Sequence, residues 1–201
     1  MNITIHKTQK NEYAKTEFLT REAFWNIYEP GCTEHLMLHN LRKTEAHIEE
    51  LDISAYADNK LIGHLIITKS EIINLNNKSF EVLCLGPISI DPEFQGIGLG
   101  TQIIKHSIEE ARKLGYNGII TFGFSHYYSR FGFENAEKFE ITTKDGENFE
   151  EFMAMPLFEN ALEDVKGKFH EHQSYIVDPD ELEEFEKNFP KKDISEPKFK
   201  I

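Results

Sequence analysis

The chain has 201 residues, is 39% hydrophobic and carries 16 Phe, enough apolar material for one good-sized domain with an appendage. Its formal net charge is -13 and its Lys and Arg gather into no stripe, which argues against a phosphate-tracking nucleic-acid surface. No stretch is apolar for about 18 residues, the opening MNITIHKTQKNEY lacks the layout of a secretory signal, and Cys32 and Cys84 are too few for a disulfide framework. A cytoplasmic protein with reduced thiols, no membrane contact and no nucleic-acid partner is therefore expected. Acidity of this kind attracts cationic partners, amines among them, although solubility alone accounts for it.

Ile3 and Ile5 alternate with polar residues, a short strand pattern. From Asn11 to Trp25, Tyr13, Ala14, Phe18, Leu19 and Ala23 recur at helical spacing until Glu29-Pro30-Gly31 breaks the chain. Thr33 is a candidate cap for a second helix bearing Leu36, Met37, Leu41 and Ile48. LDISAYADNKLIGHLIITKS reads as two strands around a turn near Asp58-Asn59, and FEVLCLGPISI as a third after the polar turn at Asn74 to Lys78. Next comes the clearest helix, with Leu99, Ile103, Ile104, Ile108, Ala111 and Leu114 on one face and Gly115 as its stop. A short strand follows at Ile119 to Phe122, so strand, glycine turn, helix, strand predicts an α/β fold with those two strands parallel. Beyond Met155-Pro156 the texture changes. DPDELEEFE suits a helix capped by Asp178, with Leu182, Phe185 and Phe189 as an apolar edge, and PKKDISEPKFKI reads as a loose tail.

The segment DPEFQGIGLGTQ gives up side chains at Gly96, Gly98 and Gly100, directly before that helix. A P-loop would end in Gly-Lys-Ser or Gly-Lys-Thr, whereas Thr101-Gln102 follows Gly100. A dinucleotide fingerprint would need glycine at Thr101 and an acid near Thr121 or Phe122, and has neither. Gln95-x-x-Gly98-x-Gly100 remains: several backbone N–H groups at a helix N-terminus, without a lysine or a metal ligand, suited to a pyrophosphate that is held and left intact. Upstream, Gly86-Pro87 interrupts an apolar strand, and a bulge there frees backbone at Ile88, Ser89 and Ile90 for an outside partner.

These residues resemble the GNAT superfamily of N-acetyltransferases, whose motif is Gln or Arg, two residues, Gly, one residue, Gly or Ala. A second block, HYYSRFGF (His126 to Phe133), places Tyr128 four residues before Gly132-Phe133, as GNAT proteins often do, and its Tyr-Tyr-x-Arg-Phe-Gly-Phe string resembles a bacterial subgroup of acetyltransferases. The likeness runs from about Asp52 to Met155, and the tail from Leu157 to Pro190 is compatible with that subgroup. It implies a mixed, mostly antiparallel central sheet flanked by helices and splayed between its fourth and fifth strands. The expected organisation is an acetyltransferase domain at 1–156 with a helical extension at 157–201 packed on it. It further implies acetyl-CoA as co-substrate, with Gln95, Gly96, Ile97, Gly98, Leu99, Gly100 and Thr101 around its pyrophosphate and the backbone of Ile88 to Ile90 along its pantetheine. Direct transfer to an amine acceptor and a possible homodimer complete that expectation.

Acetyl transfer needs a neutral amine, and a lysine-like amine is neutral in only roughly one molecule in two thousand at pH 7. A proton acceptor, an oxyanion donor and a proton for the leaving thiolate are therefore required. By the resemblance Tyr128 serves the thiolate, Tyr127 being the weaker choice. No general base is identifiable: Glu81, Glu93, His126, Glu22, Glu29 and His39 are candidates, but each reads first as a solvated surface residue, and a water chain can replace them all. His35 and His39 have metal-ligand spacing without an HExxH pattern or third ligand, so no metal is expected. His170-Glu171-His172 forms no recognisable site, Cys84 reads as inert packing, and Arg130 either anchors its own turn or reaches a CoA phosphate. A CoA-binding module without catalysis, or an acyltransferase for longer acyl chains, shares the same glycine turn.

Overall fold

The computed structural model describes residues 2–199, with Met1, Lys200 and Ile201 outside that range. Nine strands form a mixed, mostly antiparallel sheet flanked by helices: β1 (Ile3–Lys7), β2 (His47–Ala57), β3 (Lys60–Ile73), β4 (Ser79–Ile90), β5 (Gly118–Phe122), β6 (Glu134–Asn135), β7 (Ile141–Thr142), β8 (Phe152–Pro156) and β9 (Gly167–His170). Their order is β1-β2-β3-β4-β5-β8-β6, with β9 pairing β3 and β7. The helices are α1 (Tyr13–Phe24), α2 (Glu34–Leu41), α3 (Leu99–Lys113), α4 (Ser125–Tyr128) and α5 (Pro179–Glu186). Two compact units divide the chain: one holds residues up to Ile66, Pro87–Ile104 and the chain from Gln173; the other holds Ile67–Gly86 and Lys105–His172.

In the first unit β1 and β2 pair antiparallel from Ile3↔Ala57 to Lys7↔Ile53. Asp58 turns the chain into β3 at φ 49, a left-handed angle that Asp tolerates through its short polar side chain. Leu38 and Leu41 of α2 pack on Ile66 of β3, with Met37 and Tyr175 closing the cluster. Gly63 lets the start of α3 approach β3, because a Cβ there would lie 2.6 Å from Ile103. α2 ends at Leu41, short of the expected Ile48: the Thr44 hydroxyl donates to the Leu41 carbonyl (2.8 Å) and Ile48 is buried in β2 instead. Thr33 stands at the head of α2, but its hydroxyl goes to Glu29 and caps nothing.

α5 carries Asp178 as its cap, its carboxylate accepting from the N–H groups of Asp180 and Glu181, with Pro179 in the first turn as expected. The tail, expected to be loose, is docked: the Asp193 carbonyl accepts from the Trp25 indole (2.9 Å) and from Asn26, and Lys198 and Phe199 donate to the carbonyls of Asn26 and Ile27. The sequence pattern could not show this because the contacts are to backbone, which any residue supplies.

The second unit contains the parallel pairing of β4 and β5, and β5 pairs antiparallel with β8 from Gly118↔Pro156 to Phe122↔Phe152. α3 stops where Gly115 (φ +83) donates to Arg112 and Tyr116 donates to Ala111, a Schellman closure. Leu114, expected on the apolar face, therefore follows the helix and is 44% exposed. The segment 157–172 lies in this unit, where Phe169 of β9 faces Ile72 of β3 in register.

Candidate functional site

The glycine turn is built from the first unit outward. Asp91 turns the end of β4 by accepting from the Glu93 N–H (2.9 Å), and Pro92 pre-sets the short 3-10 turn that follows. Gly96 and Gly98 then adopt φ +78 and +84, and a Cβ on either would meet nothing within 4 Å. Backbone angle, and not crowding, demands glycine there. α3 begins immediately afterwards, its first bond running from Gln102 N–H to the Gly98 carbonyl (3.2 Å). The N–H groups of Leu99, Gly100 and Thr101 consequently have no intrahelical acceptor, and the first turn of α3 holds no acid. Leu99 is buried and pins the turn, while Gln95, Gly96, Ile97 and Gly98 are exposed and Gln95 donates to the Ile90 carbonyl (3.3 Å). Such a helix start accepts anionic oxygens.

Along β4, registered pairing with β5 comprises only Leu83↔Ile119 and Cys84↔Ile120, after which Thr121 Oγ1 reaches the Leu85 carbonyl (3.3 Å). Gly86 takes φ +128 before Pro87, an interruption only glycine accommodates easily. Beyond it, Ser89 is buried with its hydroxyl on Thr20 of α1 (2.9 Å), while Ile88 and Ile90 are half-buried. Beside this strand end, α1 and the segment after β4 enclose a groove of about 620 Å³ lined by Ala14, Phe18, Leu19, Leu61, Pro92 and Glu93.

In the α1–α2 region most of the expected bases have other partners. Glu22 binds Lys192 (2.9 Å), Glu29 accepts from Thr33, and His39 pairs with Glu17 (3.0 Å). His35 is fully buried, its Nε2 2.8 Å from Glu186 and its Nδ1 3.5 Å from Cys32, and burial lowers its pKa to about 4. Burial likewise pushes the Cys32 thiol far up, which makes it unreactive. One residue was not anticipated. Glu34 opens α2 with its carboxylate held by the Thr33 N–H (3.0 Å), and burial raises its pKa to about 7, with the neighbouring charge of Glu29 adding to the effect. No cation is paired with it among the described residues. A glutamate at the head of a helix is common enough that no sequence signal marked it.

A buried polar cluster lies deeper in the same unit. Asp52 receives two hydrogen bonds from Arg42 (2.7 and 3.0 Å), and lies 2.8 Å from His64 and 3.1 Å from His47. Burial opposes ionisation of Asp52, but His47, His64 and Arg42 together hold its carboxyl well below the usual carboxylate range. Arg42 in turn stacks on Tyr13 at 3.9 Å.

In the second unit Tyr128 ends α4 and is 8% exposed. Its ring packs on Gly123, where a Cβ would fall 2.2 Å away, and edge-on against Tyr127 and Phe133. Gly132 turns the chain at φ +100, and Arg130 closes the same turn by donating to the Tyr127 carbonyl (2.8 Å) and covering its ring. Of the two roles open to Arg130, the local anchor is the observed one. Cys84 is buried, whereas Glu81, Glu93 and His126 are exposed, Glu93 binding Lys60 at 2.7 Å. Among the described residues no three His, Cys, Asp or Glu are grouped to hold a metal, and no helix is long and apolar enough to cross a membrane.

Comparison with known proteins agrees with this arrangement. The acetyltransferase (GNAT) family profile matches residues 17–133. The N-acetyltransferase YjhQ of Escherichia coli K12 is 26% identical over 66% of the chain and 70% of its own length. Its counterpart YhbS is 26% identical over 69% and 82%. Among solved structures, Escherichia coli YhbS in complex with CoA superposes with a TM-score of 0.75 at 21% identity, covering 87% of this chain and 92% of that one. A Brucella melitensis GNAT acetyltransferase in complex with acetyl-CoA gives 0.71 at 22%, covering 87% and 99%. Both structures share the fold.

Proposed function

Because the chain belongs to the GNAT acetyltransferase family, we propose that it transfers the acetyl group of acetyl-CoA directly to the primary amine of a cationic acceptor. The observation that carries this reading is the turn at Gly96 and Gly98, whose left-handed angles lead directly into the N–H groups at the start of α3 that lack intrahelical acceptors. Gln95, Gly96, Ile97, Gly98, Leu99, Gly100 and Thr101 hold the pyrophosphate, and the backbone of β4 from Ile88 to Ile90, past the last residues registered with β5, pairs with pantetheine. CoA in one solved structure of the same fold and acetyl-CoA in another support a cofactor of that kind.

The amine nitrogen attacks the thioester carbonyl, a carbon–nitrogen bond forms, and the carbonyl electrons move to oxygen. Backbone N–H groups of β4 receive that oxyanion. The attacking ammonium first loses a proton, and Glu34 is our choice to accept it, directly or through water. Burial raises its carboxyl to about 7, nearer the pKa a proton acceptor needs than a solvated glutamate's. When the carbon–sulfur bond breaks and the carbonyl re-forms, Tyr128 supplies its hydroxyl proton to the departing thiolate, and the surplus proton on the acylated nitrogen returns through water to the phenolate.

Calorimetric titration with acetyl-CoA, with ATP and NAD as controls, tests the first half. Selective micromolar binding is expected, and its absence from folded protein overturns the reading. Tyr128→Phe tests the second half: turnover should fall at least tenfold with acetyl-CoA affinity unchanged, the pattern of a group acting only in the transition state. A variant with full turnover removes Tyr128 from the chemistry.

A further inference from the structure

Residues 190–199 are held on the first unit without burying a single side chain, Lys192 and Pro197 alone being half-buried. Asn26, at a left-handed φ of 56, is the clasp. Its Nδ2 donates to the Asp193 carbonyl (3.1 Å), its Oδ1 accepts from the Ser195 N–H (3.3 Å), and its carbonyl accepts from the Lys198 N–H (3.0 Å). The Trp25 indole donates to the same Asp193 carbonyl (2.9 Å), and Lys192 forms an ion pair with Glu22 of α1 (2.9 Å). Surface hydrogen bonds with little apolar burial behind them mark a segment that opens locally, at far less cost than global unfolding. α5 is the fixed end of this strap, since its Glu186 is bound to the buried Arg21.

What the strap touches gives it a use. Glu22 lines the groove beside the end of β4, together with Phe18 one turn earlier on α1. The other two acids of that lining, Asp91 and Glu93, are both held by Lys60, itself a lining residue (3.0 and 2.7 Å). Lys15, the one charge left in the lining, stands about two turns nearer the start of α1 than Glu22. Glu22 is neutralised instead by an ammonium from the strap, with Arg21 Nη1 3.6 Å away. Whether the groove presents a free carboxylate thus depends on whether the strap is docked. The Lys192 and Glu22 side chains are 30% and 32% exposed, and an ion pair in that setting is weak enough for a second ammonium to displace. The groove floor, Ala14, Phe18, Leu19, Leu61 and Pro92, offers apolar surface to the body of such a ligand.

We infer that residues 190–199 are an autoinhibitory strap: the Lys192 ammonium occupies, on Glu22, the seat of an amine entering the groove, so that amine binding and strap docking exclude each other. The inference rests on the acetyltransferase reading for its ligand and goes beyond it in assigning a regulation. Trp25, the sole tryptophan of the chain, reports the strap directly. When the strap lifts, its indole loses the Asp193 bond and the ammonium 5.5 Å from its ring. The test uses the full chain, with spermidine and butylamine as probes at fixed ionic strength. Either amine should shift Trp25 emission toward that of a water-exposed indole, whereas Glu22→Gln should start from the shifted emission and respond to neither. Lys192→Gln keeps the stem and removes the charge, and Lys198→Pro removes one N–H of the clasp without touching α1. Each should lower the amine KM in CoA release, Lys192→Gln by about three- to fivefold, the worth of one partly exposed ion pair, at unchanged kcat and acetyl-CoA affinity. An amine KM unchanged or raised in both variants, or Trp25 emission that neither the amines nor the variants move, would overturn the inference and leave the acetyltransferase reading standing. The Trp25 titration needs no turnover, so it decides the matter even for protein that acetylates neither probe or binds no acetyl-CoA. That last result overturns the acetyltransferase reading alone.

Discussion

Glu186→Ala tests whether the C-terminal segment is an integral part of the first unit. Glu186 lies at the end of α5, and its carboxylate takes three hydrogen bonds from Arg21 of α1, at 2.9 and 3.1 Å from Nε and 2.7 Å from Nη2. The Arg21 side chain is 1% exposed, with its guanidinium over Trp25 at 4.1 Å and beside Phe189 at 5.3 Å. Its Nη1 finds no hydrogen-bond acceptor and comes only within 3.6 Å of Glu22. Removing Glu186 therefore strands a buried guanidinium, which generally costs about 3–5 kcal/mol. Glu22 and a modest opening toward solvent offset part of that, so about 2–4 kcal/mol is expected here. In a chain of this size that lowers the melting temperature by about 5–15 °C. Urea unfolding should show a lower midpoint at unchanged slope, because the surface exposed on unfolding stays the same. The double variant Arg21→Met, Glu186→Leu should return to within about 1 kcal/mol of wild type, since an apolar pair fills the same space without a charge to desolvate. A single variant that loses under about 1 kcal/mol, or a double variant worse than the single one, would refute the reasoning.

Gly98→Ala forces a side chain into φ +84, which costs about 1 kcal/mol or more of stability, and it should weaken acetyl-CoA binding at least tenfold in calorimetry. Glu34 has a folded-state pKa raised to about 7, so its burial leaves stability intact at low pH and withdraws it as pH rises from about 4.5 to 7. Glu34→Gln should consequently be more stable than wild type at pH 8 by about 1–3 kcal/mol and equal to it at pH 4, while losing turnover. A pH-independent stability difference would refute that assignment. Asp52 is the opposite case: its depressed pKa supplies stability above the ordinary aspartate range that is lost as pH falls below it. Asp52→Asn strands Arg42 and should cost about 3 kcal/mol at pH 7, with a shallower acid limb in thermal melts.

The sequence carried the elements whose cause is local. Hydrophobic periodicity marked β3, β4, α1 and α3, and left-handed glycines marked the turn at Gly96 and Gly98, because those features arise from residues close in the chain. What stayed hidden depends on partners far apart in sequence. Arg21 and Glu186 are separated by 165 positions, and each looked like a solvated charge until the fold buried one against the other. Asp52 and Arg42 sit in stretches read for strands and helices, where their charges looked incidental. Glu34 is a further case. Nothing in the residues beside Glu34 foretells its burial. The glycine turn is local and was legible, whereas buried pairs assembled from distant segments were not.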